Sequence, residues 1–212
     1  MGERGAAPRS EPTPRRAHGP AAGEPPVVVD PRRWGSVVGL VGGLVFVLSY
    51  SPDLGSLVST LARVAGVVGA ATALFAHYVR PTALGPLARP GAAALATYGL
   101  CVVGELVLIV VGTRVLVSAG AGALRPALIA TAVGVHFIPF AWAFRERMFH
   151  HLGGAVTAIG VAGLLLGALG VTRAAAAAAV LAGLVMITFI VVHALGRYAP
   201  SHTRSTSAPT RR

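Results

Sequence analysis

Hydrophobic positions along the chain gather into six long runs, separated by short polar joins. The runs cover about 34–51, 58–79, 96–114, 127–145, 152–172 and 174–196. Each approaches the ~20 residues that an α-helix needs to cross the hydrocarbon layer of a bilayer. Inside that layer every backbone N–H and C=O must be satisfied within its own segment, so each run predicts a helix. The first run is short, and Arg63 interrupts the second near one end. Helix tilt and snorkelling of a long side chain accommodate both. Proline and glycine punctuate the joins, as in SPDLG, RPTALGPLARPG and SAGAGALRP. None of these joins has room for an extramembrane domain. The expected fold is therefore all-α: a polytopic integral membrane bundle of six transmembrane helices over 34–197. Residues 1–33 hold six arginines and seven prolines, and they carry too little apolar surface to offset the entropy of ordering. They are expected to form a disordered Pro/Arg-rich tail, and 198–212 a disordered basic one.

Composition supports the membrane reading. The chain is 54% hydrophobic and 12% charged, with a mean hydropathy of +0.71. An ordinary soluble domain carries ~25% charged residues, so this chain has too little polar surface to cover itself in water. A net charge of +11 raises the question of nucleic acid. Lysine is absent, however, and the arginines cluster at the chain ends and in or beside the short joins, with Arg63 inside the second run near its end. A nucleic-acid binder gathers such charge on one folded face with stacking aromatics, so no nucleic-acid partner is expected. The arginines act instead as topology signals. With the N-terminus in the cytoplasm, fourteen fall on the inner side, and four (Arg63, Arg114, Arg125 and Arg173) on the outer. Six crossings then return the C-terminus to the cytoplasm. Trp34, Tyr78, Tyr98, Trp142 and Tyr198 fall at the inner interface in this arrangement, and Tyr50 at the outer one. The absence of lysine and the excess of Ala, Gly, Arg and Pro point to a GC-rich bacterial genome, hence to the inner, plasma membrane of a bacterial cell. No early apolar stretch marks a cleavable signal peptide. The single cysteine, Cys101, excludes an intrachain disulfide and a cysteine-based metal site.

Lipid tails are as apolar as leucine, so close backbone approach must supply much of the packing between helices. Small residues recur at the spacing this needs. Gly35, Gly39 and Gly43 form two GxxxG steps in the first helix, Ala62, Gly66 and Ala70 follow suit in the second, and the fifth holds Gly160, Gly163, Gly167 and Gly170. These faces could serve contacts within the chain, or with a second copy or another membrane protein; the bilayer itself is the remaining expected partner.

Ionisable groups at bilayer depth are costly and usually face the protein interior. Two stand near a segment centre: Glu105 in the third helix and His136 in the fourth. The two helices are adjacent and antiparallel, so equal depth permits contact. Tyr98, Cys101 and Glu105 follow a three-to-four spacing and share one face of the third helix. Pro139 removes a backbone donor just beyond His136 and is a candidate hinge. One reading makes Glu105 and His136 a buried pair that locks two helices; the other makes them a protonation or ligand site. His150 and His151 sit beside Arg145, Glu146 and Arg147 in a join, where a solvated loop is the plainer reading than a metal site. His77 and His193 stand at helix ends, where a cation suits the helix dipole. No nucleophile elbow, P-loop, HExxH or dinucleotide motif is present, so no catalytic residue, cofactor or metal is expected.

Gly134, His136, Phe137 and Pro139 spell a G-x-H-F-x-P segment, followed by a basic join and the pair Gly153–Gly154. This stretch resembles segments of uncharacterised small bacterial multipass membrane proteins. The resemblance covers about a tenth of the chain; it implies a multipass fold and brings no activity with it. Two function classes remain. One is a structural, interaction or sensory membrane subunit; the other is a small proton-linked transporter or channel-like protein working through Glu105 and His136.

Overall fold

The computed structural model describes residues 26–82, 91–144 and 147–198. Six long helices follow one another: α1 Pro31–Tyr50, α2 Ser56–Leu74, α3 Ala92–Ser118, α4 Arg125–Phe144, α5 Arg147–Ala168 and α6 Ala174–Ala194. A 3₁₀ turn, Ser51–Leu54, joins α1 to α2, and a second, Gly122–Leu124, leads into α4. A π-helical turn, Phe75–Val79, extends α2. The described residues contain no strand. All six helices are long and apolar enough to cross a membrane, the architecture of a multipass membrane protein. Their outward surface agrees: Val38, Leu57, Leu100 and Leu169 each leave more than two thirds of their area exposed, apolar area that water does not tolerate on this scale.

The helix ends depart from the hydropathy pattern for a simple reason. Leaving the apolar layer does not end a helix; caps, prolines and glycines do. α1 starts at Pro31 rather than 34, because Asp30 accepts a bond from the Arg32 N–H and Pro31 fills the first helical turn. The stretch expected as tail over 1–33 thus includes a turn at 26–29, the cap and the opening of α1. Residues 1–25 and 199–212, the bulk of the two expected tails, lie outside the described residues. α5 begins at Arg147, so His150 and His151 belong to its first turns rather than to a loop; both are exposed. Arg145 and Glu146 lie outside the described residues. α3 runs 27 residues, eight more than the 96–114 stretch, with Glu105 at its midpoint.

α6 is the centre of the bundle. It packs on α1, α2, α4 and α5, and its inward face carries Val180, Gly183, Met186, Ile187 and Ile190. Leu40, Val47, Ala62 and Ala70 from α1 and α2 close one side of it; Phe46, Ala130, Leu152 and Val156 close the other. Glycine permits the closest crossings. A Cβ on Gly183 would stand 2.5 Å from the Gly43 carbonyl oxygen, so α1 and α6 meet backbone to backbone. α4 and α5 form an equally tight antiparallel hairpin, in which Gly134 meets Thr157, Gly160 meets Thr131 and Gly163 meets Ala127.

α3 stands apart. It packs on α4 and on the 3₁₀ turn before α4, and Ala94 is the single buried residue along its length. Successive helices alternate in direction throughout, so Arg33, His77 and His193 meet at one end of the bundle. The first and last described segments therefore emerge at the same end.

Candidate functional site

The bilayer-depth pair is the first cluster. α3 brings Glu105 and α4 brings His136 to the α3–α4 seam, where Nδ1 of His136 lies 2.9 Å from Oε2 of Glu105. The contact is at ion-pair distance but is not aligned as a hydrogen bond. The side chains are 14% and 18% exposed, which places the pair at the flank of the bundle rather than in its core. His136 sits among aromatic rings. Phe137 and Phe140 lie 4.2 and 5.1 Å from its centroid, and Tyr98 of α3 stacks on Phe140 at 5.3 Å. The stripe Tyr98–Cys101–Glu105 thus faces α4 in part: Tyr98 is stacked but half exposed, and Cys101 is half-buried. Phe144 and Phe149 extend the aromatic cluster to α5. Pro139 lies within α4, one turn beyond His136, and α4 continues through it to Phe144.

An imidazole and a carboxylate this close lower the cost of charge on each other at a depth where either alone would be expensive. Among the described residues this is the one ion pair joining α3 to the rest of the bundle.

The second cluster gathers at the end where α1 begins and α6 finishes. Arg33, 3% exposed, reaches across to the end of α2 and donates Nη1 to the His77 carbonyl and Nη2 to the Thr82 carbonyl, the latter at 3.1 Å. Carbonyls at a helix C-terminus lack intrahelical donors; here the Arg80 N–H closes the π-helical turn on the Phe75 carbonyl, and the guanidinium fork supplies donors to the carbonyls beyond it. Asp30 is buried and pairs with Arg32 at 2.9 Å, with Arg33 Nε at 3.9 Å. His77 is fully buried, 6.1 Å from the His193 ring of α6. The Thr82 hydroxyl donates to the Ala194 carbonyl, so the chain after α2 also caps α6. His77 and His193 do stand at helix ends, yet they lie inside a three-helix junction rather than in solvent.

The packing glycines divide. Gly39 and Gly43 of the α1 row lie against Ile190 and Ile187 of α6, whereas Gly35 has nothing within 4 Å. Ala62, Gly66 and Ala70 are buried, and Gly163 and Gly167 meet Ala178 and Leu124. Gly170 adopts φ +86 in the turn before α6, a turn role rather than a packing one. Among the described residues no three His, Cys, Asp or Glu side chains come together as metal ligands would.

Asp30, Arg33 and Thr82 did not stand out in the sequence, since the first two fell in the apparent tail. An Asp-Pro step directly before an apolar run was the available signal: a capped helix start, followed by arginines on the first turn.

Fold and site together define a six-span helical membrane protein with an ionisable pair at mid-span. Comparison with protein-family models, with curated proteins and with solved structures finds no match to this chain.

Proposed function

We propose that this chain is a structural or sensory subunit of the bacterial inner membrane, with both termini cytoplasmic. In this reading it is a five-helix bundle carrying α3 as a detachable sixth helix, and Glu105–His136 is the latch. The carrying observation is that α3 packs on α4 and its adjoining turn, and that the pair ties the two helices at mid-span. Apolar contact with α4 competes with equally apolar lipid, so the ionisable contact sets register and position. A change in charge on either partner leaves the other unpaired at bilayer depth and releases α3, which is what a sensor needs. The cytoplasmic placement of the termini rests on the fourteen-to-four split of the arginines.

The test is a distance measurement between spin labels at Leu100 on α3 and Leu181 on α6, both exposed, in a Cys101→Ala background. The latched protein should give a narrow distribution and Glu105→Leu a broad one. An unchanged distribution in Glu105→Leu would remove the reading.

The partial exposure of the pair also supports the proton-linked transporter reading, since a relay group must be reached from outside the core. Proteoliposomes loaded with a pH-sensitive dye decide between the two. Proton flux in the wild type that Glu105→Gln abolishes would favour transport; no flux in either favours the latch.

A further inference from the structure

At the end of the bundle opposite the Arg33 junction, a groove of about 400 Å³ opens between α1, α3 and α4. Tyr50, Ile109, Val110, Thr113, Arg114, Arg125 and Ile129 line it. Its floor and walls are apolar, and its rim holds two guanidinium groups. Neither arginine has an ion pair or hydrogen bond from its side chain to any described residue, unlike Arg33 with its two carbonyls and Arg63, whose Nε donates to Ser51. The Thr113 hydroxyl makes no hydrogen bond to a described residue and is free to donate to a ligand.

We propose that this groove binds the headgroup of an anionic phospholipid. Two unneutralised arginines on one small groove repel each other and attract a phosphate; Thr113 adds a hydroxyl donor beside them. The rim lies where α3 ends and α4 begins, at headgroup depth for helices of this length. With both termini cytoplasmic this is the outer leaflet, where a phosphate headgroup meets the two guanidinium forks at the level of its own oxygens. The apolar wall of Ile109, Val110 and Ile129 selects a lipid over a free anion, because it offers a glycerol and acyl chain a surface that inorganic phosphate cannot use. A bound lipid bridges α1, α3 and α4, and braces the one helix that the bundle itself holds on a single side. This site is independent of the Glu105–His136 pair, and neither stands or falls with the other.

The full-length protein is reconstituted in nanodiscs of phosphatidylcholine with a minority of phosphatidylglycerol, and native mass spectrometry reads which lipid stays bound on release. Wild type should retain phosphatidylglycerol. Arg114→Gln and Arg125→Gln should each weaken retention about fivefold, the worth of one arginine at an anionic lipid surface, and the double variant by the product. Arg173→Gln, at the same end of the bundle but outside the groove, should retain as wild type. Val110→Trp, which fills the groove and keeps both arginines, should lose the lipid. Inorganic phosphate should not displace it. Retention by the double variant equal to wild type overturns the proposal, as does an equal loss in Arg173→Gln. Displacement by phosphate together with full retention in Val110→Trp would make this a free-anion site and overturn the lipid assignment.

Discussion

The charge of a single side chain decides more here than in a soluble core, because the surrounding phase offers no water to take its place. Glu105 and His136 could be paired from the sequence because few ionisable groups lie near a segment centre, and these two share one depth on adjacent antiparallel helices. If the pair is a fastening, Glu105→Gln should keep most of the stability. Glu105→Leu should cost roughly 1–3 kcal/mol by stranding His136. Adding His136→Leu should recover part of that loss, and thermal unfolding of the four proteins closes the cycle. Zero coupling would show that 2.9 Å of proximity carries no energy. Arg33 was not legible in the same way, since it sits among polar, Pro-rich neighbours that read as tail. Its role depends on two carbonyls, at His77 and Thr82, that come close only after folding. Arg33→Ala should destabilise the protein by roughly 1–3 kcal/mol, the usual cost of buried polar groups left without partners, as read by the same melts.

At the scale of the helices, hydropathy located all six spans but misplaced several of their ends. α3 takes in four further residues on each side, nearly all of them apolar, α5 starts five residues early in the polar stretch at Arg147 and stops at Ala168, and α1 starts early because Asp30 caps it. Glycine spacing was informative only in part. The GxxxG rule identifies a face that can pack, but the geometry of neighbouring helices decides which of its positions meets another backbone. Gly43 meets α6, while Gly35, two turns earlier on the same row, meets nothing. Gly134 was singled out only through its G-x-H-F-x-P segment, yet an added Cβ there would collide with the Thr157 backbone. Gly134→Ala should therefore cost roughly 1–3 kcal/mol through forced separation of α4 and α5. Gly35→Ala should fall within about 0.5 kcal/mol of wild type. Equal melting temperatures for the two variants would contradict the packing described.

For the whole molecule, an even number of alternating spans puts both described ends on one side, as the contacts of Arg33, His77 and His193 require. A reporter fused after Arg212 should be active in the form that works in the cytoplasm and silent in the form that needs export. The reverse result would invert the topology without altering the fold. The overall arrangement was less legible than the spans, since hydropathy says nothing about which helix lies in the middle. That helix is α6, the last to be made, and it is the principal partner of α1, the first. The α4–α5 hairpin can assemble as it leaves the ribosome, but α1 and α2 wait for about 120 further residues of synthesis, roughly 6–24 s at ~5–20 residues per second. During that interval the glycine face of α1, whose Gly39 and Gly43 later lie against Ile190 and Ile187, is unsheltered, and it depends on the insertion machinery or on chaperones for cover. A chain stopped before Ala174 should consequently be cleared by membrane proteases far faster than one stopped after Ala194, in a pulse-chase experiment. Translation rate and the supply of insertase would then govern the yield of this protein more than its final stability does.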